Sequence, residues 1–161
     1  LSIYELCQDH GVQLSFSHQR RFRADFRTAR RLIQEGAIGK IERLDAFCPN
    51  FYDWGTHWFD MMFFLLGDVR ASWILAQADF SEPRYVFDAP METRGISRVH
   101  YENDVEGLLV TEPSKEPVFV RALGSDGVIK VIPHGEGNTT MLRAGGSGKW
   151  EIPPLDRKTG A

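Results

Sequence analysis

Two aspartates and a histidine interrupt a segment that is otherwise almost wholly apolar. Asp53, His57 and Asp60 lie within "DWGTHWFDMMFFLLGD", residues 53–68. On an α-helix, residues three and four apart share one face, so the three side chains would line up along it. A buried carboxylate without a partner is costly, so these groups must face each other, a cavity or another polar element. The spacing therefore predicts a polar site on a buried helix that ends at Gly67.

Two other interpretations of these residues stay open. In a purely structural one, Asp53 is the N-cap of the helix, favoured by free amides and the helix dipole. His57 and Asp60 would then form a satisfied local pair. In a metal site, His-x-x-Asp spacing would present two ligands, but no third or fourth ligand is evident nearby. We therefore predict no metal.

The elements around this segment predict an α+β fold. A helical apolar stripe is formed by Phe22, Phe26, Ala29, Leu32 and Ile33, and Gly36 ends that helix. "KIERLDAFCP" follows as a strand. After Gly67, strand-like runs separated by turn residues occupy 70–80, 95–102, 105–112, 117–124 and 127–133, with a hairpin turn at 125–127. This order predicts an open, mostly antiparallel β-sheet with helices packed on one face.

The first 18 residues have a different character. Ile3, Leu6 and Cys7 share a helical face that Gly11 would end, and residues 12–16 alternate as in a strand. A lone helix and strand need partners to bury their faces. We therefore expect residues 1–18 to be the tail of a larger α/β domain and residues 19–161 to form a second domain.

Composition excludes several classes of protein. With 161 residues, 42% of them hydrophobic and 25% charged, the chain can bury a core as one domain plus a piece of another. A net charge of −3 favours neither nucleic acid nor an anionic membrane. The longest apolar run, Trp58–Leu66, is half the ~18 residues of a membrane span. Two cysteines suit a reducing compartment, and we expect a cytoplasmic location. The glycines of 134–150 form no GxGxxG phosphate loop.

The order of the motifs resembles the Gfo/Idh/MocA oxidoreductases, the family of glucose–fructose oxidoreductase and inositol dehydrogenase. "GVQLSFSHQRRFRADFRTARRLIQEGAIGKI", residues 11–41, contains the Arg-aromatic pair "RRF" and the "GAIGKI" turn of that pattern. The D-x-x-x-H-x-x-D helix follows at 53–60, and "GSDGVIKV" resembles the turn and strand of the family's large sheet.

This resemblance implies a two-domain enzyme whose N-terminal Rossmann domain holds NAD or NADP. Residues 1–18 would be the last helix–strand unit of that dinucleotide-binding domain, and 19–161 the C-terminal substrate and oligomerisation domain. The implied reaction moves a hydride between NAD(P) and a secondary alcohol of a sugar or polyol. The glycine-rich fingerprint and the family's Glu-Lys-Pro motif are missing, so the cofactor would be bound mainly outside this chain, which alone would be inactive. The loop before Asp53 is also shorter than in relatives, which leaves the substrate class open.

The chemistry of alcohol oxidation assigns roles to the candidate residues. A base must take the hydroxyl proton as the hydride leaves carbon, and the ordinary histidine pKa of about 6.5 suits that task. His57 is the predicted acid/base, Asp53 would orient its ring or bond a substrate hydroxyl, and Asp60 would fix its tautomer from behind. The predicted substrate-binding residues are Arg20, Arg21, Tyr52 and Trp54. For the two arginines, solvated charge at a helix start is the structural alternative.

The sequence leaves two other functions open. The chain could be a non-catalytic α+β module whose open sheet serves assembly, with the Asp/His helix purely structural. Within the same family, some relatives use the nicotinamide transiently to cleave glycosides.

Overall fold

The structure, a computed structural model, describes residues 2–115, 117–133, 140–146 and 148–156. Its helices are α1 (Ile3–Asp9), a 3₁₀ helix (Gln19–Phe22), α2 (Ala24–Gln34), a π-helical turn (Phe51–Gly55, hereafter the π turn) and α3 (Thr56–Leu65). Its strands are β1 (Ile41–Cys48), β2 (Ala71–Asp79), β3 (Arg84–Val86), β4 (Ala89–Met91), β5 (Arg94–Tyr101), β6 (Glu106–Thr111), β7 (Phe119–Gly124), β8 (Gly127–Val131) and β9 (Thr140–Ala144). No helix in these ranges has the length and apolar character needed to cross a membrane.

Seven of these strands form one open sheet in the order β2-β5-β6-β1-β7-β8-β9, and β3 pairs with β4 in a separate hairpin. Within the large sheet β1 and β6 run parallel, and the other neighbours are antiparallel. The predicted α+β class, with an open and mostly antiparallel sheet, is confirmed. The predicted turn is also present, because residues 125 and 126 join β7 to β8 where Gly124 pairs with Gly127.

The core lies between α2, α3 and one face of this sheet. Ala46 pairs with Leu109 on one side and with Val120 on the other, and all three are buried. The helices contribute Phe26, Ala29, Trp58, Met61, Met62 and Leu65 to the same cluster. Trp58 Nε1 also donates a hydrogen bond of 2.8 Å to the carbonyl of Phe119, which ties α3 to β7. The stretch that carries the candidate residues is therefore fixed on the sheet.

A β-bulge explains the imperfect alternation in β1. The register with β7 shifts between Ile41 and Arg43, so one extra residue separates Ile41 from the regular part of the strand. Ile41 and Leu44 can consequently both pack against the core, although they are three positions apart and strict alternation would place them on opposite faces.

Two sequence expectations differ from the structure, and three short strands were not expected. Residues 12–18 join no strand, because no described strand lies beside them to pair with, and Val12 and Phe16 are exposed. Phe22 does not belong to the apolar stripe of α2, because it ends the 3₁₀ helix and is 81% exposed. The short strands β3, β4 and β9 were not predicted.

The two faces of the sheet predict that alanine substitution of two adjacent leucines lowers the free energy of unfolding by different amounts. Leu109 is fully buried under the helices, whereas Leu108 lies on the open face and is only partly buried. We expect Leu109→Ala to lower the free energy of unfolding by about 2–5 kcal/mol because it leaves a cavity. Leu108→Ala removes the same atoms but should lower the free energy of unfolding by clearly less. Urea denaturation of both variants measures this, and equal losses would contradict the assigned faces.

Candidate functional site

The site begins where β1 ends, and Asn50 sets its geometry. The Asn50 side-chain oxygen accepts hydrogen bonds from the backbone amides of Asp53, at 2.8 Å, and Trp54, at 3.1 Å. Asn50 is itself in an extended conformation, as a residue before a helix should be. The alternative interpretation, in which Asp53 is the N-cap, therefore does not hold, because Asn50 has that role. Because Asn50 satisfies these amides, the Asp53 carboxylate is not needed for capping.

A buried glutamate holds the π turn from its other side. The Glu92 carboxylate accepts from the Phe51 amide at 2.5 Å and from Thr111 Oγ1 at 2.9 Å. The Phe51 ring lies against β5, where a Cβ at Gly95 would come within 2.3 Å of it. Glu92, Thr111 and Gly95 thus attach the π turn to the sheet. Helical irregularities of this kind are frequent at functional sites.

Asp60 is paired with Arg21. The Arg21 guanidinium donates from Nε at 2.9 and 3.0 Å and from Nη2 at 2.7 Å to the Asp60 carboxylate. Its Nη2 also lies 2.7 Å from Asp68. The hydrogen bonds that Arg21 donates to these two carboxylates raise its pKa further above its ordinary value. Arg21, predicted to bind substrate, is thus engaged in joining the 3₁₀ helix to α3.

The predicted pairing of Asp60 with His57 is absent from the described hydrogen bonds. Asp60 instead faces a second histidine, since Oδ1 of Asp60 lies 3.3 Å from Nδ1 of His18. The ring of His18 meets that of His57 edge to face, with centroids 5.6 Å apart. His18 therefore contacts both Asp60 and His57.

His57 occupies a partly buried position. Its Nδ1 atom is buried and has no hydrogen-bond partner among the described residues. Burial lowers the pKa of His57, the positive charges of Arg20 and His18 lower it further, and Asp53 and Asp60 act in the opposite direction. This environment favours the neutral imidazole, the state in which His57 can accept a proton.

Arg20 lies on two tryptophan rings. Its guanidinium carbon is 4.7 Å from the ring centroid of Trp58 and 5.6 Å from that of Trp54. The two indoles meet edge to face at 5.4 Å. Desolvation is the main cause that lowers the pKa of Arg20, Arg23 adds to it, and Asp53 opposes it. Unlike Arg21, Arg20 makes no ion pair within the described ranges, and its Nη1 is buried there without a hydrogen-bond partner.

The structure thus brings together part of the predicted site. One cluster contains Arg20, Asp53, Trp54 and His57. Within it, Asp53 influences the pKa values of Arg20 and His57, and Arg20 influences that of His57. Tyr52, which lies within the π turn, is 57% exposed. Sequence reasoning missed His18, Asn50 and Glu92. Only His18, two residues before Arg20, had a signal in its position. In the described ranges, no group of three or more acidic, histidine or cysteine side chains could hold a metal ion.

Comparison with known proteins gives matches of structure only. No protein-family model and no curated protein matches the chain. Among solved structures, an inositol dehydrogenase homologue from Azotobacter vinelandii, complexed with NADH and myo-inositol, superposes with a TM-score of 0.71 at 15% identity. The alignment covers 93% of this chain and 44% of that one. The WlbA dehydrogenase of Bordetella pertussis, with NADH and UDP-GlcNAcA, gives a TM-score of 0.62 at 19% identity over 80% of this chain and 43% of that one.

A third structure with this fold is a super-repressor mutant of Gal80p from Saccharomyces cerevisiae. Its TM-score is 0.74 at 16% identity, over 98% of this chain and 50% of that one. These structures are of the Gfo/Idh/MocA type, so the resemblance seen in the sequence is confirmed at the level of fold. The chain spans about half the length of the proteins it matches.

The environment of His57 predicts its titration. We expect its NMR titration midpoint to lie below 6.5, and Arg20→Gln to raise it by removing a neighbouring positive charge. Because the unfolded chain binds this proton more readily, His57 contributes stability above pH 6.5 that is lost as the pH falls through its folded pKa. A wild-type midpoint at or above 6.5, or no rise in Arg20→Gln, would contradict the assigned electrostatics.

Proposed function

We propose that this chain supplies the substrate side of an oxidoreductase that moves a hydride between NAD or NADP and a secondary alcohol of a sugar or polyol. The observation that carries the proposal is the partly buried His57, whose pKa burial lowers, beside the carboxylate of Asp53 and an Arg20 that makes no ion pair among the described residues. The fold that the chain shares with dehydrogenase structures, two of them with NADH and a sugar or cyclitol ligand, supports it.

The residues of the cluster divide the reaction between them. His57 accepts the proton of the substrate hydroxyl as the carbon–oxygen double bond forms. Arg20 donates hydrogen bonds to substrate oxygens, and Asp53 accepts one from a neighbouring hydroxyl. Burial against the indoles of Trp54 and Trp58 excludes water from the guanidinium and strengthens these contacts. The nicotinamide, when bound, supplies the hydride acceptor.

The dinucleotide would be held mainly by residues outside this chain. The described ranges contain no strand, glycine-rich turn and helix in succession of the kind that cradles a pyrophosphate. We propose that residues 1–18 are the tail of that cofactor domain and 19–161 the substrate domain. In support, no residue of α1 is buried although Ile3 and Leu6 are apolar. Both cysteines are free thiols, which fits the proposed cytoplasmic location.

Substitution of His57 tests the function directly. In the full-length protein, we expect His57→Asn to lower kcat by about 10²–10⁴-fold, the usual contribution of a positioned proton-transfer group. Asp53→Asn should lower kcat less, and without loss of stability, because Asn50 caps the turn. Steady-state kinetics with a panel of sugars and polyols, and thermal melts of both variants, are the measurements. Full turnover in His57→Asn on any substrate of the wild type would refute the assignment.

A non-catalytic module is the second candidate, because the Gal80p structure covers nearly all of this chain and is named as a repressor. Under that function, His57→Asn would chiefly change the melting temperature. A full-length protein that oxidises none of the panel while binding a dinucleotide would favour this candidate.

We further propose that the open face of the sheet joins two or more copies of the chain. Trp73, Leu75 and Ile96 are exposed there on β2 and β5, whereas Val120 of β7 is buried on the opposite face. Asp45 pairs with Arg43 and Arg121 at the centre of the same face, where a partner would bury it completely. Exposed apolar faces of this kind usually mark an interface.

Light scattering of the full-length protein checks this assembly. We expect the wild type to be larger than a monomer and Leu75→Asp to reduce its mass. Ile74→Asp, on the opposite face of β2 and similarly exposed, is the matched control and should keep the wild-type mass. A wild-type monomer at high concentration would contradict the proposal.

A further inference from the structure

We propose that the substrate of this site carries a carboxylate and that Arg20 selects it. The proposal rests on the function proposed above and narrows its substrate from sugars and polyols to their acids. Arg20 is then a specificity-determining residue that reads the charge of the substrate, while His57 acts on a hydroxyl of the same molecule. The observation is a partly buried guanidinium that lies beside the candidate base and makes no ion pair among the described residues.

Arg20 differs in this respect from the arginines that follow it. Residues 21–31 contain five other arginines, and each has an acidic partner at 2.6–3.7 Å. The pairs are Arg21 with Asp60, Arg23 with Asp25, Arg27 with Asp156, Arg30 with Asp68 and Arg31 with Glu35. Within this arginine-rich segment, the unpaired cation is therefore the one whose charge reaches His57.

The guanidinium of Arg20 also lacks hydrogen-bond partners. Its carbon atom lies over the indole rings of Trp54 and Trp58, and its Nη1 is buried without a partner among the described residues. A charged donor in such a place is costly unless a ligand pairs with it. Nη1 is the one nitrogen of this group that is buried unpaired, so Nε and Nη2 form the edge that a ligand reaches. Arginine binds a carboxylate through two parallel N–H bonds from an edge of this kind.

The charges around Arg20 favour a ligand with a single negative charge. Desolvation is the main cause that lowers the pKa of Arg20, Arg23 adds to it, and Asp53 is the strongest opposing charge. A carboxylate offsets the charge of Arg20 without a surplus, whereas a phosphate carries about −1.5 to −2 and its excess would repel Asp53. The bound carboxylate also offsets the positive charge that lowers the pKa of His57, so substrate binding makes the candidate base more basic.

The first test is calorimetric titration of the full-length protein, with and without NADH or NADPH. The ligands are D-gluconate, D-galactonate and D-mannonate, each against the polyol of the same configuration, and D-glucose 6-phosphate. We expect at least one acid to bind about tenfold or more tightly than its polyol, because hydrogen bonds between charged groups are the stronger ones. Arg20→Gln should remove this preference. Arg31→Gln is the matched control, because Arg31 pairs with Glu35 on the exposed side of α2, and it should keep the preference.

The second test compares kcat/KM for the same pairs of compounds. We expect the acid of at least one pair to exceed its polyol by about tenfold or more, and Arg20→Gln to bring the ratio close to one. Arg31→Gln should leave the ratio at the wild-type value. If Arg20→Gln does not fold, Arg20→Lys keeps the charge but loses the paired N–H groups, and it should reduce the ratio.

Each result decides the proposal. Tighter binding of acids that depends on Arg20 and not on Arg31 supports it. Equal affinity for acids and polyols, tighter binding of the phosphate ester, or a preference that survives Arg20→Gln overturns it. Oxidation of acids and polyols at equal rates would refute the carboxylate site and leave the proposed function standing. Binding of acids through Arg20 without oxidation of any compound would support the site and count against the proposed function.

Discussion

The ion pair of Arg21 with Asp60 is the contact on which the rest of the site depends. It crosses from the 3₁₀ helix to α3 and is the anchor between the two segments that carry the candidate residues. Removing one partner of a fully buried pair costs about 3–5 kcal/mol because it leaves an uncompensated charge, and less when one partner is as exposed as Arg21. With this pair in place, the 3₁₀ helix presents its neighbouring side chains to the π turn and α3.

Arg20 and Arg21 are adjacent but have different roles, because the ion pair with Asp60 fixes only Arg21. With about three residues per turn, successive side chains of a 3₁₀ helix point about 120° apart. When Arg21 is fixed on Asp60, Arg20 is directed onto Trp54 and Trp58, where no acid neutralises it by direct pairing in the described ranges. His18, which precedes the same short helix, contacts both Asp60 and His57. One structural ion pair thus leaves the guanidinium of Arg20 and the imidazole of His57 for chemistry.

Much of the fold could be predicted from the sequence, because the patterns that indicate it involve residues close together in the chain. Alternation in the strands, glycines at helix ends and the apolar length of α3 each depend on a few neighbouring residues. The site was predicted less well because its contacts are not local. α-Helical spacing placed Asp53 and His57 one turn apart, but the π turn before α3 changes that spacing, and Asn50 caps it instead of Asp53. Glu92 holds Phe51 across 41 residues, a separation over which a single sequence gives no signal.

Transfer of hydrogen from substrate carbon to a nicotinamide separates an oxidoreductase from a binding module most directly. The full-length protein would be incubated with NAD or NADP and polyols or sugars that carry deuterium on each secondary alcohol carbon in turn. The reduced dinucleotide would then be isolated and analysed by mass spectrometry. We expect deuterium in the reduced nicotinamide from one labelled position of one substrate, accumulating over many turnovers. Dinucleotide that stays unlabelled with every substrate of the panel would contradict the proposed function.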